Sequence, residues 1–234
     1  MNYDLISLGL ILKTTILNIP LDYNDYDDEE TGLFTTKSDY LRIIQLAKLR
    51  NISFERQYDL KEHTQDVEFD KLKIIANELE RYKKEYNLID FNDMILDFTK
   101  SDKSPNFDVV FIDEAQDLSL MQWDMAKSIW NKTEDTFIAG DDDQAIFKWA
   151  GADVEHLINM PGETKVLAQS YRCPRVVQSL SQEIISNVRN RRPKSWKGTN
   201  REGLLRYHSY PESVDLKGSG TWLVMARTQY MLDE

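Results

Sequence analysis

The stretch Val109-Val110-Phe111-Ile112-Asp113-Glu114-Ala115-Gln116-Asp117 runs from four apolar residues straight into two adjacent carboxylates. Phe107 to Ile112 is short, apolar and rich in β-branched residues, which predicts a strand covered on both faces. Carboxylates at the end of a buried strand are costly unless something compensates them. A metal does so: Asp113 can hold Mg²⁺, directly or through water, while the ion bridges nucleotide phosphates. Glu114 can then orient and deprotonate an attacking water. A bare acid pair opening a helix would be explained by the helix dipole alone. The Ala-Gln-Asp extension after the strand favours the metal and base reading.

The pattern repeats just downstream. Leu118 to Trp130 reads as a helix and Thr136 to Ala139 as a second strand, ending at Gly140. Gly140-Asp141-Asp142-Asp143-Gln144-Ala145-Ile146-Phe147-Lys148-Trp149-Ala150-Gly151-Ala152 then reads as a loop. Gln144 is placed to hydrogen-bond a terminal phosphate or the attacking water. Phe147 and Trp149 offer flat faces for exposed bases, each contact worth about 1–3 kcal/mol. Core packing is the ordinary role of a single aromatic, but the polar and glycine neighbours favour a loop. A third cluster, Gln169-Ser170-Tyr171-Arg172-Cys173-Pro174, follows a possible strand at Lys165 to Ala168. Arg172 can neutralise charge on a transferred phosphoryl group and Tyr171 can stack on adenine. A structural ion pair explains Arg172 equally well.

Around these clusters the chain alternates. Helices are predicted for Tyr40 to Arg50 and for Leu72 to Tyr86, where Leu72, Ile75, Ala76, Leu79, Tyr82 and Tyr86 share helical spacing. Asp90 is placed to cap a short helix through Asp97, with Asp93 in its first turn. Pro174 fits the first turn of a helix reaching about Val188, and Thr221 to Ala226 reads as a late strand. Strands alternating with helices imply a parallel sheet with sites at the carboxyl ends of its strands. Leu5 to Ile19 is apolar but interrupted by Lys13, too short to span a bilayer, and reads as a buried helix.

The net charge of −11 is unevenly distributed. Ser170 to Tyr207 holds nine Lys or Arg against two Glu, a local +7, which leaves −18 on the remainder. Such a basic stripe on an acidic body is compatible with a polyanion partner. Arg189, Arg191, Arg192, Lys194 and Lys197 are candidates for phosphate contacts, or for a solvated helix end favoured by the helix dipole. The acidic run from Asp22 to Glu30 reads as a solvated loop. His63, His156 and His208 show no zinc-ligand spacing, and Met121, Trp123 and Met125 read as packing residues. The single cysteine, Cys173, allows no intrachain disulfide and favours a reducing, cytoplasmic setting.

The three clusters, in this order, resemble the UvrD/Rep-like branch of superfamily 1 DNA helicases. Asp113 to Asp117 is similar to the family's Walker B motif, Gly140 to Gly151 to its motif III, and Tyr171-Arg172 to its motif IV. Leu88-Ile89-Asp90-Phe91-Asn92-Asp93-Met94 resembles the segment that precedes Walker B, and Trp222 to Tyr230 the strand that opens a second motor domain. A weaker echo lies at Ser7-Leu8-Gly9-Leu10, with Ile6 where relatives usually have histidine. The resemblance covers most of the chain from about Lys71 onward.

It implies an α/β fold: a RecA-like parallel sheet flanked by helices, with a helical insertion and the start of a second RecA-like domain. The implied divisions are 1–36 as part of the first motor domain with an acidic loop, 37–88 as the insertion, 89–188 as the ATPase core and 189–234 as the start of the second motor domain. It implies that Asp113 binds Mg²⁺, Glu114 activates water, Gln144 contacts the γ-phosphate of ATP, Arg172 acts as an arginine finger and Tyr171 stacks on adenine. Trp149, with Phe147, would stack on single-stranded DNA. Activity would couple ATP hydrolysis to 3′-to-5′ movement along one strand, without a membrane. No glycine in the chain is followed by lysine, so it holds no Gly-x-x-x-x-Gly-Lys phosphate loop. The expectation is therefore an internal segment, truncated at both ends, that depends on further helicase portions or a replication or repair partner. The alternative is a non-hydrolysing remnant that binds single-stranded DNA or a partner.

Overall fold

The computed structural model describes residues 27–28, 33–34, 38–63, 66–101, 103–210, 213–218 and 220–226. The expected helix at Leu5 to Ile19 and the echo at Ser7 to Leu10 lie outside these residues, as do Arg227 to Tyr230. The chain divides between Glu163 and Thr164 into two compact units.

In the first unit, Asp27–Asp28 (β1) pairs antiparallel with Leu33–Phe34 (β2), so part of the acidic run is a paired strand rather than loop. Three helices follow: α1 (Asp39–Leu49), α2 (Phe54–Asp59) and α3 (Phe69–Glu85). Ile43 and Ile44 of α1 pack with Val67 and with Leu72, Ile75 and Ala76 of α3. This is the apolar stripe that the helical spacing predicts. Tyr86 departs from it: it caps the C-terminus of α3 and is exposed, because the helix ends one residue before it.

Helix α4 (Phe91–Ser101) starts where expected and runs four residues beyond Asp97. The Asp93 N–H donates to Asp90 Oδ1 at 2.8 Å and the Asp90 N–H donates to Asp93 Oδ2 at 3.0 Å, a reciprocal cap. Two cations close this turn: Lys83 Nζ donates to Asp93 Oδ2 at 2.7 Å and Asp90 Oδ2 at 3.0 Å, and Lys48 Nζ donates to Asp93 Oδ1 at 3.2 Å. Residues from α1, α3 and the start of α4 thus meet in one charged network.

β3 (Val109–Ile112) and β4 (Asp135–Ile138) pair in parallel, with Val110 opposite Thr136 and Ile112 opposite Ile138. The crossover helix is α5 (Leu120–Trp130), opened by a Ser119–Gln122 capping box. Its Met121 and Trp123 are buried, as their reading as packing residues requires. Mixed helix and a two-stranded parallel sheet make the described fold α/β.

The strand is not covered on both faces. Exposed and half-buried residues alternate along β3 and β4; Phe111 is 76% exposed and stacks on Phe137 with centroids 5.1 Å apart. A continuous apolar run does not separate two-faced burial from one covered face, and here the period-two pattern prevails among the described residues.

The first unit ends its described helices with α6 (Val154–Ile158). In the second unit, α7 (Arg175–Ile185) is shorter than expected; Pro174 is its N-cap rather than its first turn. Neither Lys165 to Ala168 nor Thr221 to Ala226 forms a strand; nearby, only an isolated parallel bridge joins Gln169 to Lys197. A β-branched run remains merely extended where no neighbouring strand accepts its ladder bonds.

Candidate functional site

The candidate site lies at the carboxyl ends of β3 and β4, where the parallel pairing brings two loops side by side. The Ala139 N–H donates to Ile112 O at 2.7 Å and the Ala115 N–H donates to Ala139 O at 3.0 Å, so the ladder continues past both strand ends. Asp113 and Glu114 follow β3 directly and are exposed. Glu114 adopts φ 50° and ψ 38°, a left-handed conformation that costs a non-glycine residue roughly 1–2 kcal/mol. Its N–H donates to Asp113 Oδ1 at 2.9 Å. The turn then tightens into a 3₁₀ turn at Ala115–Asp117.

Asp113, Glu114 and Asp117 line a cavity of about 270 Å³ together with Leu49, Ser119, Gln122 and Phe147. Three carboxylates and an aromatic of the following loop therefore face one space. Asp117 Oδ1 is buried and, among the described residues, has no hydrogen-bond partner. Burial, with the Glu114 carboxylate beside it, pushes the Asp117 pKa up, against a hydrogen bond from Gln116 that lowers it.

The loop after β4 holds two 3₁₀ turns, Asp142–Gln144 and Lys148–Ala150. Gln144 Nε2 donates to Asp141 Oδ2 at 2.5 Å, and Asp141 also caps the first turn by accepting from the Asp143 N–H at 3.2 Å. Gln144 is exposed and is not among the cavity residues. Trp149 is 50% exposed, with its ring centroid 6.4 Å from that of the half-buried Phe147. Gly151, at φ +101°, ends the second turn against Leu49 of α1; a side chain there would meet Leu49 Cβ at 3.1 Å. Arg50 Nη2 reaches Lys148 O at 3.3 Å, so the helical region braces the aromatic loop.

Tyr171 and Arg172 belong to the second unit. Tyr171 is 88% exposed, and the Arg172 side chain is exposed with no ion pair among the described residues, so the structural ion pair is not seen. Neighbouring side chains hold the turn by its backbone: Ser170 Oγ accepts from the N–H groups of Arg172 and Cys173, and Arg201 Nη2 donates to Arg172 O at 3.0 Å. Arg189, Arg191, Arg192 and Lys194 lie beyond the end of α7 at Ile185, and the last turn of α7 carries no basic residue. The helix-dipole explanation for this run therefore fails, since the effect is confined to the last turn. Arg192 Nη1 donates to Thr164 Oγ1 at 2.6 Å.

Two residues missing from the sequence-based site are prominent here. Gln116 is 2% exposed yet bonds both loops: Nε2 donates to Glu114 Oε2 at 2.7 Å and Asp117 Oδ2 at 3.2 Å, and Oε1 accepts from the Asp141 N–H at 2.9 Å. Gly140 makes room for it; a Cβ there would lie 2.9 Å from Gln116 Oε1 and 2.9 Å from Leu157 Cδ2. The available signal was a glutamine inside an acidic motif, which can donate to carboxylates and accept from a backbone N–H.

Two adjacent carboxylates after a parallel strand, facing a cleft shared with an aromatic loop, lie at the carboxyl end of the sheet, where open α/β proteins bind their ligands. Residues 11–165 match the UvrD/REP helicase N-terminal domain model, about two thirds of the chain, and the chain belongs to that family. It is 26% identical over 199 residues to the ATP-dependent DNA helicase PcrA of Bacillus subtilis, covering 68% of this chain and 27% of that protein. It is 24% identical over 221 residues to a probable DNA helicase II homolog of Mycoplasma pneumoniae, covering 86% of this chain and 30% of that protein. PcrA of Staphylococcus aureus is 30% identical over 113 residues, or 45% of this chain and 16% of that protein. The chain thus spans less than a third of the length of these relatives. Among the described residues, no helix is long and apolar enough to cross a membrane.

Proposed function

We propose that this chain is part of the ATP-hydrolysing core of a DNA helicase, in which ATP hydrolysis drives movement along single-stranded DNA. The observation that carries the reading is the cavity that Asp113 and Glu114 share with Phe147. A site that must report hydrolysis to a DNA strand needs its carboxylates near its base-stacking loop, and their shared lining of one cleft supports the reading.

The residues present fit a hard divalent cation. The donors are carboxylate oxygens, and Asp117 Oδ1 is a buried oxygen without a partner among the described residues. Asp113 would hold Mg²⁺, whose charge would neutralise phosphate oxygens. Glu114 accepts the proton of the attacking water. By the family resemblance Gln144, held by Asp141, would contact the terminal phosphate, Arg172 would offset the charge on the transferred group and Tyr171 would stack on adenine. Phe147 and Trp149 stack on bases, and Arg191, Arg192 and Lys194 contact phosphates. The sheet is read as part of a RecA-like motor domain, with 37–88 as a helical insertion and a second motor domain beginning in the second unit.

The test is DNA-stimulated phosphate release, measured beside oligonucleotide anisotropy with and without ATP. Release abolished by Glu114→Gln, with DNA binding retained, supports the reading. The half-exposed Trp149 and the basic run holding Arg191, Arg192 and Lys194 support a second reading as a DNA-binding module. Salt-sensitive binding with no nucleotide dependence and no release would establish that module and refute hydrolysis.

A further inference from the structure

Gln116 is buried among acids, where a methionine or leucine would fill the same space without a polar atom to satisfy. Burying an amide is favourable only when its hydrogen bonds are made. Here both ends are used and neither can be exchanged for the other. Nε2 faces two carboxylate oxygens, on Glu114 and Asp117, which only accept; Oε1 faces the Asp141 N–H, which only donates. The amide therefore has one orientation.

Its two ends join the two halves of the site. On one side is the carboxylate of Glu114, on a backbone already in a left-handed conformation. On the other is Asp141, in the loop that carries Gln144, Phe147 and Trp149. The connection continues, since Asp141 Oδ2 accepts from Gln144 Nε2 at 2.5 Å. There is little slack, because Gly140 leaves no room for even one methyl group against Gln116 Oε1.

We propose that Gln116 is a positioning residue whose single amide ties the aim of the Glu114 carboxylate to the position of the Gly140–Asp141 backbone. A displacement of the aromatic loop then moves the group that accepts the proton of water, and a change at Glu114 is felt by the loop. The consequence for hydrolysis rests on the function proposed above; the mechanical link does not.

The experiment compares the full chain with Gln116→Met, which removes both arms at similar length, and Gln116→Glu, which keeps an acceptor for Asp141 but presents like charge to Glu114. Far-UV circular dichroism confirms folding. Amide hydrogen exchange reads Asp141, and the side-chain carboxyl carbon resonance reads Glu114. Gln116→Met should speed exchange at Asp141 about tenfold and shift the Glu114 resonance. Gln116→Glu should leave Asp141 slow while shifting Glu114. A residue that merely fills space would give neither this split nor the partial rescue. Equal Asp141 exchange in wild type and Gln116→Met, or an unmoved Glu114 resonance in that variant, overturns the proposal. If Gln116→Glu fails to fold, Gln116→Met decides alone. Phosphate release and oligonucleotide binding are read separately on the wild type, so their absence would sink the helicase reading and leave these outcomes standing.

Discussion

Asp93→Asn tests whether charge, rather than apolar contact, holds the start of α4 to α1 and α3. Burial alone would raise the Asp93 pKa, but the Asp90 N–H, the Lys83 ammonium and the charge of Lys48 outweigh it and bring it from 3.8 to about 2. Burial likewise opposes the charge on Lys83, yet its carboxylate partners hold its pKa above the usual lysine range. At 1.36 kcal/mol per pKa unit, the Asp93 shift corresponds to about 2 kcal/mol. Water reaching the more open Asp90 and Glu80 carboxylates reduces this to roughly 1 kcal/mol. A depressed folded-state pKa places the sign: the stabilisation is complete above about pH 4 and is lost as pH falls through about 2. Urea unfolding followed by far-UV circular dichroism should therefore show the variant roughly 1 kcal/mol less stable near neutral pH. That gap should narrow below about pH 4 and nearly close at about pH 2, where the wild-type carboxyl is itself half protonated. A gap that is equal at about pH 7 and about pH 3, or that widens on acidification, would refute the electrostatic account.

Gly140→Ala should lower stability by about 1–3 kcal/mol, read as a drop in thermal midpoint, because its Cβ meets Gln116 Oε1 and Leu157 Cδ2. The half-exposed Trp149→Ala should weaken single-stranded oligonucleotide binding by about 1–3 kcal/mol in an anisotropy titration without changing the circular dichroism. Replacing Arg191, Arg192 and Lys194 together by Ala should make the logarithmic salt dependence of that binding shallower by about 2, from roughly 0.7 per phosphate contact. An unchanged slope would remove these three side chains from the DNA interface.

Local pattern and chemistry were readable where they are self-contained. Asp90 was placed as the cap of α4 and Asp93 in its first turn, and the structure adds that the two cap each other, whereas α5, read from Leu118, starts two residues later behind the Ser119–Gln122 capping box. Readable too is the loop after β4, whose glycines and acids exclude a core helix. Burial was less readable because it depends on what lies opposite. Phe111 has the composition of a strand packed on both sides, yet its ring lies open against Phe137. Strand formation at Lys165 to Ala168 depends likewise on a neighbour's free N–H and C=O groups, which no residue type in that segment encodes. Gln116 was legible as part of an acidic motif but not as a bridge, since its second partner is a backbone N–H 25 residues away.

The charge balance explains how so acidic a chain can be read as a DNA-binding protein. The unit from Thr164 to Glu234 carries 12 Lys and Arg against 6 Asp and Glu, a net +6, which leaves −17 on the unit up to Glu163. The aromatic candidates Phe147 and Trp149 sit on the acidic unit, where phosphate would be repelled. Base stacking needs no net charge, because every base presents a π face. Phosphate contacts do need it, and the candidates for them, Arg191, Arg192 and Lys194, all fall in the basic unit. The acids Asp141, Asp142 and Asp143 within the stacking loop disfavour stiff duplex DNA, which must bring both backbones close, more than a single strand that can turn its bases inward. The proposed preference for single-stranded DNA thus follows from the division of charge between the two units as well as from the aromatic residues themselves.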